Sequence, residues 1–278
     1  MRTIAHLSDL HFDRVEPALL EPLRRKLFAL EPNLVVVSGD LTQRARKSQF
    51  KQAVDYLRTL PQPQLIVPGN HDVPLYNVFK RFLTPLSNYK GVVTDDLSPD
   101  FFDDEMAVVG VNTARSLVFK GGRINEKQMR EVKDKLCGLP EHVAKIIVTH
   151  HPFDVPEGSH EKDQIVGRAA KALEKLAGCG ADVLLSGHLH EAHVGHTAER
   201  YCIAGVSALV VQAGTATSSR TRDSTNSFNI LRLTPHHIEV DTYLWTGHDF
   251  ICGGTEAFEH EEGGWRRLTG STDGHKPH

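Results

Sequence analysis

Asp9 and His11 stand two residues apart, as do His188 and His190, and between these pairs lie Asp40, the run Gly69-Asn70-His71-Asp72 and the pair His150-His151. All of these side chains except glycine offer oxygen or nitrogen donors. A donor set without thiolates suits a hard or borderline divalent ion such as Mn²⁺, iron or Zn²⁺, and argues against Cu(I) or an iron–sulfur cluster. Taken singly the signals are weak: Asp-x-His arises by chance, Asp40 is also a type that caps helices, and two surface histidines look like a chelating pair. Two histidines at i and i+2 in an extended turn do project to one side, which suits chelation. Together the groups offer more ligands than one ion that keeps an open position can take. Two ions sharing a bridging carboxylate is the economical arrangement.

The elements that must position them are legible from periodicity. Five short apolar segments, 3–7, 34–37, 64–67, 145–148 and 182–185, have the length of buried strands, and each ends at one of the ligand groups. Amphipathic stretches at 17–30, 48–60, 125–136 and 165–177 have helical spacing, with Leu19, Leu20, Leu23, Leu27 and Leu30 on one broad face of the first. The alternation predicts βαβ crossovers and a largely parallel sheet, whose strand ends share the edge where ligands bind. Residues 201–204, 208–213, 228–233 and 238–245 read as strands of a second, more antiparallel sheet, with a hairpin turn at 234–237. A strand at 106–111 is expected between the two groups, and residues 213–226, with Arg220, Arg222 and Asp223, read as a polar loop. One domain over residues 1–252 and a partly flexible extension over 253–278 are expected.

Composition narrows the classes. The chain has 278 residues, 32 Lys+Arg and 35 Asp+Glu, and the net charge of −3 with no long basic run disfavours a cationic nucleic-acid binder. No run of about 18 apolar residues is available to span a bilayer. Asp9 and His11 interrupt any signal-peptide core, so a cytoplasmic location is expected. Cys137, Cys179, Cys202 and Cys252 lack CxxC spacing and read as reduced packing residues.

In order, Asp9-x-His11, Gly39-Asp40, Gly69-Asn70-His71-Asp72, His150 and Gly187-His188-x-His190 resemble the five-block pattern of the calcineurin-like metallophosphoesterases over residues 3–190. The GNHD form and the His-His-Pro block look most similar to the class III cyclic-nucleotide phosphodiesterase-like branch. The resemblance implies a four-layer α/β/β/α sandwich of two mixed sheets. It implies one metal on Asp9, His11 and His190, a second on Asn70, His150 and His188, and Asp40 bridging, with Mn²⁺ or iron favoured and Zn²⁺ an alternative. His151 is expected to turn toward its own loop. His71 faces the substrate in this pattern, with Asp72 expected on its far nitrogen, keeping it protonated.

Such a site suits phosphoester hydrolysis, because paired cations make hydroxide available near neutral pH and bind the phosphoryl oxygens. His71 is then the candidate proton donor to the leaving oxygen. The leading expectation is a phosphodiesterase for small diesters, cyclic nucleotides foremost. Hydrolysis of a nucleotide-linked lipid diphosphate, which the resemblance also allows because relatives of this family process such lipids, is the alternative. It asks for an apolar wall, and Leu75, Val78, Phe79, Phe82, Leu83 and Leu86 read equally well as that wall or as a packed helix. A DNA-end nuclease lacks the basic stripe it needs, and a binding scaffold of this fold would have lost ligands that are present here. Arg220 and Arg222 are candidates to clamp phosphate; Tyr76, Asn77 and Phe79 are candidates for the pocket wall, and His6, His193, His196 and Asn112 for flanking groups. Strands beyond residue 200 leave room for a homodimer.

Overall fold

The computed structural model describes residues 1–75, 78–116, 121–155, 162–197, 207–220, 225–261 and 264–268. Strands β1 (Arg2–Leu7), β2 (Leu34–Val37) and β3 (Gln64–Ile66) alternate with helices α1 (Pro17–Leu30) and α2 (Lys47–Leu57). Then come α3 (Val78–Leu83), α4 (Ser87–Lys90), β4 (Asp100–Phe102), β5 (Met106–Gly110), α5 (Glu126–Leu136), β6 (Ala144–Val148), α6 (Ala169–Leu176), β7 (Val183–Ser186), β8 (His193–His196) and β9 (Leu209–Gln212). The chain continues through β10 (Ser227–Thr234), β11 (His237–Trp245), β12 (Phe250–Glu261) and β13 (Gly264–Arg267).

Two mixed sheets result, one ordered β13-β12-β11-β10-β1-β2-β3 and the other β4-β5-β6-β7-β9-β8. Strand residues alternate between faces, and here both faces are apolar. In β1 and β2, Ala5, Leu7, Val35 and Val37 pack outward against Leu19, Leu23 and Leu27 of α1 and Phe50, Ala53 and Leu57 of α2. Ile4, Leu34 and Val36 face inward, against Val108, Ile146, Val148 and Leu185 of the second sheet. The outer face of that sheet packs on Met129, Val132 and Leu136 of α5 and Ala172, Leu173 and Leu176 of α6. The layers are therefore α/β/β/α. Local chemistry sets the helix ends: Pro17 opens α1, and Asn125 and Gln128 form a reciprocal capping box at α5.

Register brings the ligand loops level. Leu7 pairs with Val37, and Val37 with Ile66, in the first sheet; Gly110 pairs with Val148, Val148 with Leu185, and Ser186 with Gln212 in the second. The ladder continues past the strand ends, with Asp9 N donating to Gly39 O at 3.1 Å, His11 N to Asp40 O at 2.9 Å and Gly187 N to His150 O at 3.1 Å.

Several expectations are corrected. The five ligand-bearing strands do not share one sheet: β1, β2 and β3 lie in the first and β6 and β7 in the second. The antiparallel strands β10 to β13 extend the first sheet through the β1–β10 pair, and the strand expected between the groups, β5, sits inside the second sheet beside β6. Alternation marks a strand but not its partner, which accounts for the misplacement. β12 runs through the expected boundary at residue 252 and pairs with β11 along its length. Cys137, which caps α5, and Cys179, in the turn after α6, are joined in a disulfide with Cα atoms 4.3 Å apart. The side-by-side packing of these helices creates that proximity across 42 residues, which sequence spacing does not reveal. Cys252 is free and exposed. The strand expected at 201–204 lies outside the described residues. No helix among the described residues is long and apolar enough to cross a membrane.

Phe258 of β12 is fully buried in the layer between the sheets. Phe258→Ala is expected to lower unfolding free energy by about 3–5 kcal/mol, measured by urea denaturation. A near-neutral result would mean that the chain beyond residue 252 is a dispensable tail.

Candidate metal centre

Five candidate ligands hold their backbone in the left-handed region: Asp9 (φ 53°), His11 (47°), Asp40 (52°), His188 (77°) and His190 (62°). Aspartate and histidine tolerate this region better than branched residues do. The consequence is geometric, because a left-handed residue just past a strand end turns the chain sharply and aims its side chain along the edge between the sheets.

The side chains converge there. Asp9 Oδ1 lies 3.3 Å from His11 Nε2 and 3.7 Å from His190 Nε2. Asp40 Oδ2 lies 3.7 Å from His11 Nε2 and 3.5 Å from His150 Nε2. His150 Nε2 is also 2.9 Å from Asn70 Oδ1 and 3.2 Å from His188 Nδ1. Ligands about 2.1 Å from a shared ion stand about 3.0–3.4 Å apart in tetrahedral or octahedral geometry, so these spacings are close to those of a coordination shell. Asp40 belongs to both halves of the cluster.

Donor chemistry gives an independent test. Asp9 Oδ1, Asp40 Oδ2 and both ring nitrogens of His11 are buried without a hydrogen-bond partner among the described residues. A buried polar group left so costs about 1–3 kcal/mol, more when charged, and a divalent cation satisfies such lone pairs at once. The residues fit the metal.

The surrounding atoms fix which atom each ligand presents. Ser38 O accepts from His150 Nδ1 at 2.7 Å, and Thr215 Oγ1 meets His190 Nδ1 at 2.6 Å, so both rings turn Nε2 inward. Asp9 Oδ2 accepts from Ser8 Oγ at 2.7 Å and from His188 N at 2.9 Å. Asp40 Oδ1 accepts from His71 N at 2.8 Å. His151, also buried, pairs Nδ1 with Thr113 Oγ1 at 2.8 Å, and one of its ring nitrogens comes within 4.8 Å of ligand nitrogens on His150 and His188.

Electrostatics follow from this packing. Burial opposes charge on Asp9 and Asp40, yet His190 and His11 around the first, and His150 and His71 around the second, hold both carboxyls well below the usual range. Burial also works against charge on His150, but Asp40 and Asp9 outweigh it and raise the imidazole to about 9. His188 and His190 are pushed down by burial, to about 3 and about 4, and are neutral, the form that binds metal.

His71 and Asp72 depart from expectation. His71 Nδ1 pairs with Gln43 O at 3.1 Å, not with Asp72, and burial lowers the ring's pKa rather than keeping it protonated. Asp72 is fully buried and accepts instead from Gly69 N, Leu41 N, Thr42 N and Thr42 Oγ1 at 3.0–3.2 Å. It clamps the loop after β2 to the loop after β3. Burial and the charge of Asp40 push its carboxyl up to about 7, against the pull of those donors.

Of the flanking groups, His6 Nε2 meets Ser38 Oγ at 2.9 Å and so supports the residue that orients His150. His193 and His196 belong to the edge strand β8, with the His196 ring against Phe258. Asn112 caps its own loop through Ala114 N. Tyr76, Asn77 and Arg222 lie outside the described residues. Thr215, Gln43, Ser8 and Ser38 were not singled out in the sequence, because nothing in their spacing marks them. Thr215 stands in a segment whose polarity reads as a solvated loop, yet it is only 1% exposed.

Residues 2–192 match the family model of the calcineurin-like phosphoesterases. A probable cyclic nucleotide phosphodiesterase of Ruthia magnifica is 24% identical over 201 residues, which cover 68% of this chain and 79% of that one. The 3',5'-cyclic adenosine monophosphate phosphodiesterase of Escherichia coli is 26% identical over 206 residues, 68% of this chain and 69% of its own. Among solved structures, a dimetal phosphatase from Danio rerio matches in fold with a TM-score of 0.64 at 14% identity, over 87% of this chain and 95% of its own. A family match that runs through all five ligand loops, over a cluster whose buried donors call for cations, makes this chain a member of the calcineurin-like phosphoesterase family and a metal-dependent phosphoester hydrolase.

Proposed function

We propose that the protein is a phosphodiesterase for small diesters, cyclic nucleotides foremost, working with two divalent ions. The observation that carries this reading is the shared carboxylate, since Asp40 Oδ2 faces His11 on one side and His150 on the other. Asp9, His11 and His190 would hold one ion and Asn70, His150 and His188 the other, with Asp40 between them. Mn²⁺ and iron suit these donors, and Zn²⁺ is also compatible. Ions so held supply acidification of a water and stabilisation of charge on phosphoryl oxygens. The names of the two relatives support cyclic nucleotides as the first substrates to try.

The chain's own residues supply the rest. Asp9 and Asp40 keep the site anionic until cations arrive, and the hydrogen bonds of His150 Nδ1 to Ser38 O and of His190 Nδ1 with Thr215 Oγ1 keep the imidazoles from rotating. His71 is anchored through Nδ1–H on Gln43 O, which leaves Nε2 facing the site. The charge of an arriving phosphoryl group favours the imidazolium, whose Nε2–H would pass the proton to the departing oxygen and leave the ring neutral. Phe79 and Leu83 of α3, just after the His71 loop, are 81% and 76% exposed, and they favour a second reading in which the diester or diphosphate carries an apolar arm.

Manganese-dependent cleavage of bis-p-nitrophenyl phosphate is expected, faster than cleavage of p-nitrophenyl phosphate and lost with chelator. Asp40→Ala should lower it more than about 100-fold together with metal content. A metal-loaded, folded parent that cleaves neither this diester nor cyclic nucleotides would defeat the proposal.

His71 and Asp72 separate by leaving group. His71→Ala should slow cyclic nucleotide hydrolysis by about 10²–10⁴-fold and the activated aryl diester far less. Asp72→Asn should lower metal retention and slow both substrates in the same proportion. Equal losses on both substrates in His71→Ala would remove the proton-donor role.

A further inference from the structure

The segment after β9 orients His190 through Thr215, and its far end, at Arg220, is the part of the edge that the mechanism leaves unused. Ala213, Thr215, Ala216, Thr217 and Ser218 are all buried, and the segment is stitched to the loop after β1. Ala216 N donates to Ser8 O at 3.1 Å, Thr217 Oγ1 to Leu10 O at 3.0 Å, Glu16 N to Thr217 O at 2.8 Å and Ser219 N to Arg14 O at 2.9 Å. Asn226 Nδ2 holds the carbonyls of Thr215 and Ser218 from behind, at 3.2 and 2.8 Å. This rigid arm ends at Arg220, whose backbone N–H rests on Ser218 Oγ at 3.0 Å.

The arm delivers a cation to the site. Arg220 Nη1 lies 3.1 Å from His71 Nε2 and 3.4 Å from Gln43 Oε1, and its charge is felt at both His71 and His190. A permanent cation held against imidazoles, beside a cluster built to take more cations, raises the electrostatic energy of the loaded site. An anion entering between them reverses the sign of that interaction. A phosphoryl group fits, because a guanidinium forms paired N–H bonds to phosphate oxygens.

We propose that Arg220 is a substrate-binding residue that takes a phosphoryl oxygen at the His71 side of the site, and that it holds a phosphomonoester product, with its greater charge, more tightly than the diester. The nature of the substrate rests on the phosphodiesterase reading above; the anion subsite does not.

Inorganic phosphate is the probe, titrated calorimetrically into the manganese-loaded full chain and its Arg220→Ala and Arg220→Lys variants. Phosphate affinity should fall about 10- to 100-fold in Arg220→Ala and less in Arg220→Lys, which keeps the charge and loses the planar fork. Manganese content should stay at the parent's level, and KM for bis-p-nitrophenyl phosphate should rise by a larger factor than kcat falls. A parent that binds no phosphate, or equal affinity in all three proteins, overturns the proposal. Loss of manganese from the variants also overturns it, by making Arg220 part of the scaffold. A parent that binds phosphate through Arg220 yet cleaves no diester would defeat the phosphodiesterase reading and leave the subsite standing.

Discussion

Two carboxylates, Asp9 and Asp40, are buried at the edge where the sheets meet, and a buried charge of this kind persists only where opposite charge and hydrogen bonds answer it. One oxygen of each is answered by the protein, through Ser8, the His188 amide and the His71 amide. The other oxygen of each faces imidazoles, without a hydrogen-bond partner among the described residues. The rest of the site follows from that asymmetry, because the protein satisfies half of each carboxylate and leaves the inward half to a cation. Metal binding and folding are therefore coupled: an ion that binds this arrangement and not the unfolded chain stabilises the sandwich that creates it.

Holding the arrangement requires strain, of about 1–3 kcal/mol for each residue kept in a sparsely populated backbone region. The sandwich over-determines these positions by continuing the backbone ladder past the strand ends and by stitching the sheets together through His150 Nδ1 on Ser38 O and Ala216 N on Ser8 O. Close approach also dictates two glycines. A Cβ on Gly69 would stand 2.1 Å from Asp40 Oδ1, and one on Gly187 would stand 1.8 Å from Ser8 Oγ. The first contact is with a buried carboxylate itself and the second with the hydroxyl that donates to the other, so these glycines are part of the electrostatic design rather than turn punctuation.

Much of the site was legible in the sequence because a strand that ends in Asp, Asn or His combines two signals that rarely coincide: a buried apolar run and a polar residue with no way to be solvated along it. The layers were legible for a similar reason, since runs such as Leu34–Val37 are apolar on both faces and demand cover from both sides. Strand pairing was not, because the same alternation serves any neighbour; β5 and β10 went to sheets that periodicity does not name. The role of Asp72 is not legible, because the family pattern places it beside His71, whereas the turn at Asn70–Asp72 sends successive side chains in different directions. Thr215 and the Cys137–Cys179 pair depend on packing between distant segments, and local spacing carries no trace of either.

The segment from Ala213 to Arg220 ties these themes together. Its Thr215 hydroxyl orients His190 and its Arg220 guanidinium meets His71, so one short stretch touches both a candidate metal ligand and the candidate proton donor. Because it is bonded along its length to the loop that carries Asp9 and His11, it cannot shift toward a substrate without disturbing that loop. In a chain of net charge −3, attraction of an anion must come from fixed local charge rather than from the overall field. The rigidity of this arm keeps such a charge at the rim, where it acts on an entering anion without replacing the cations within.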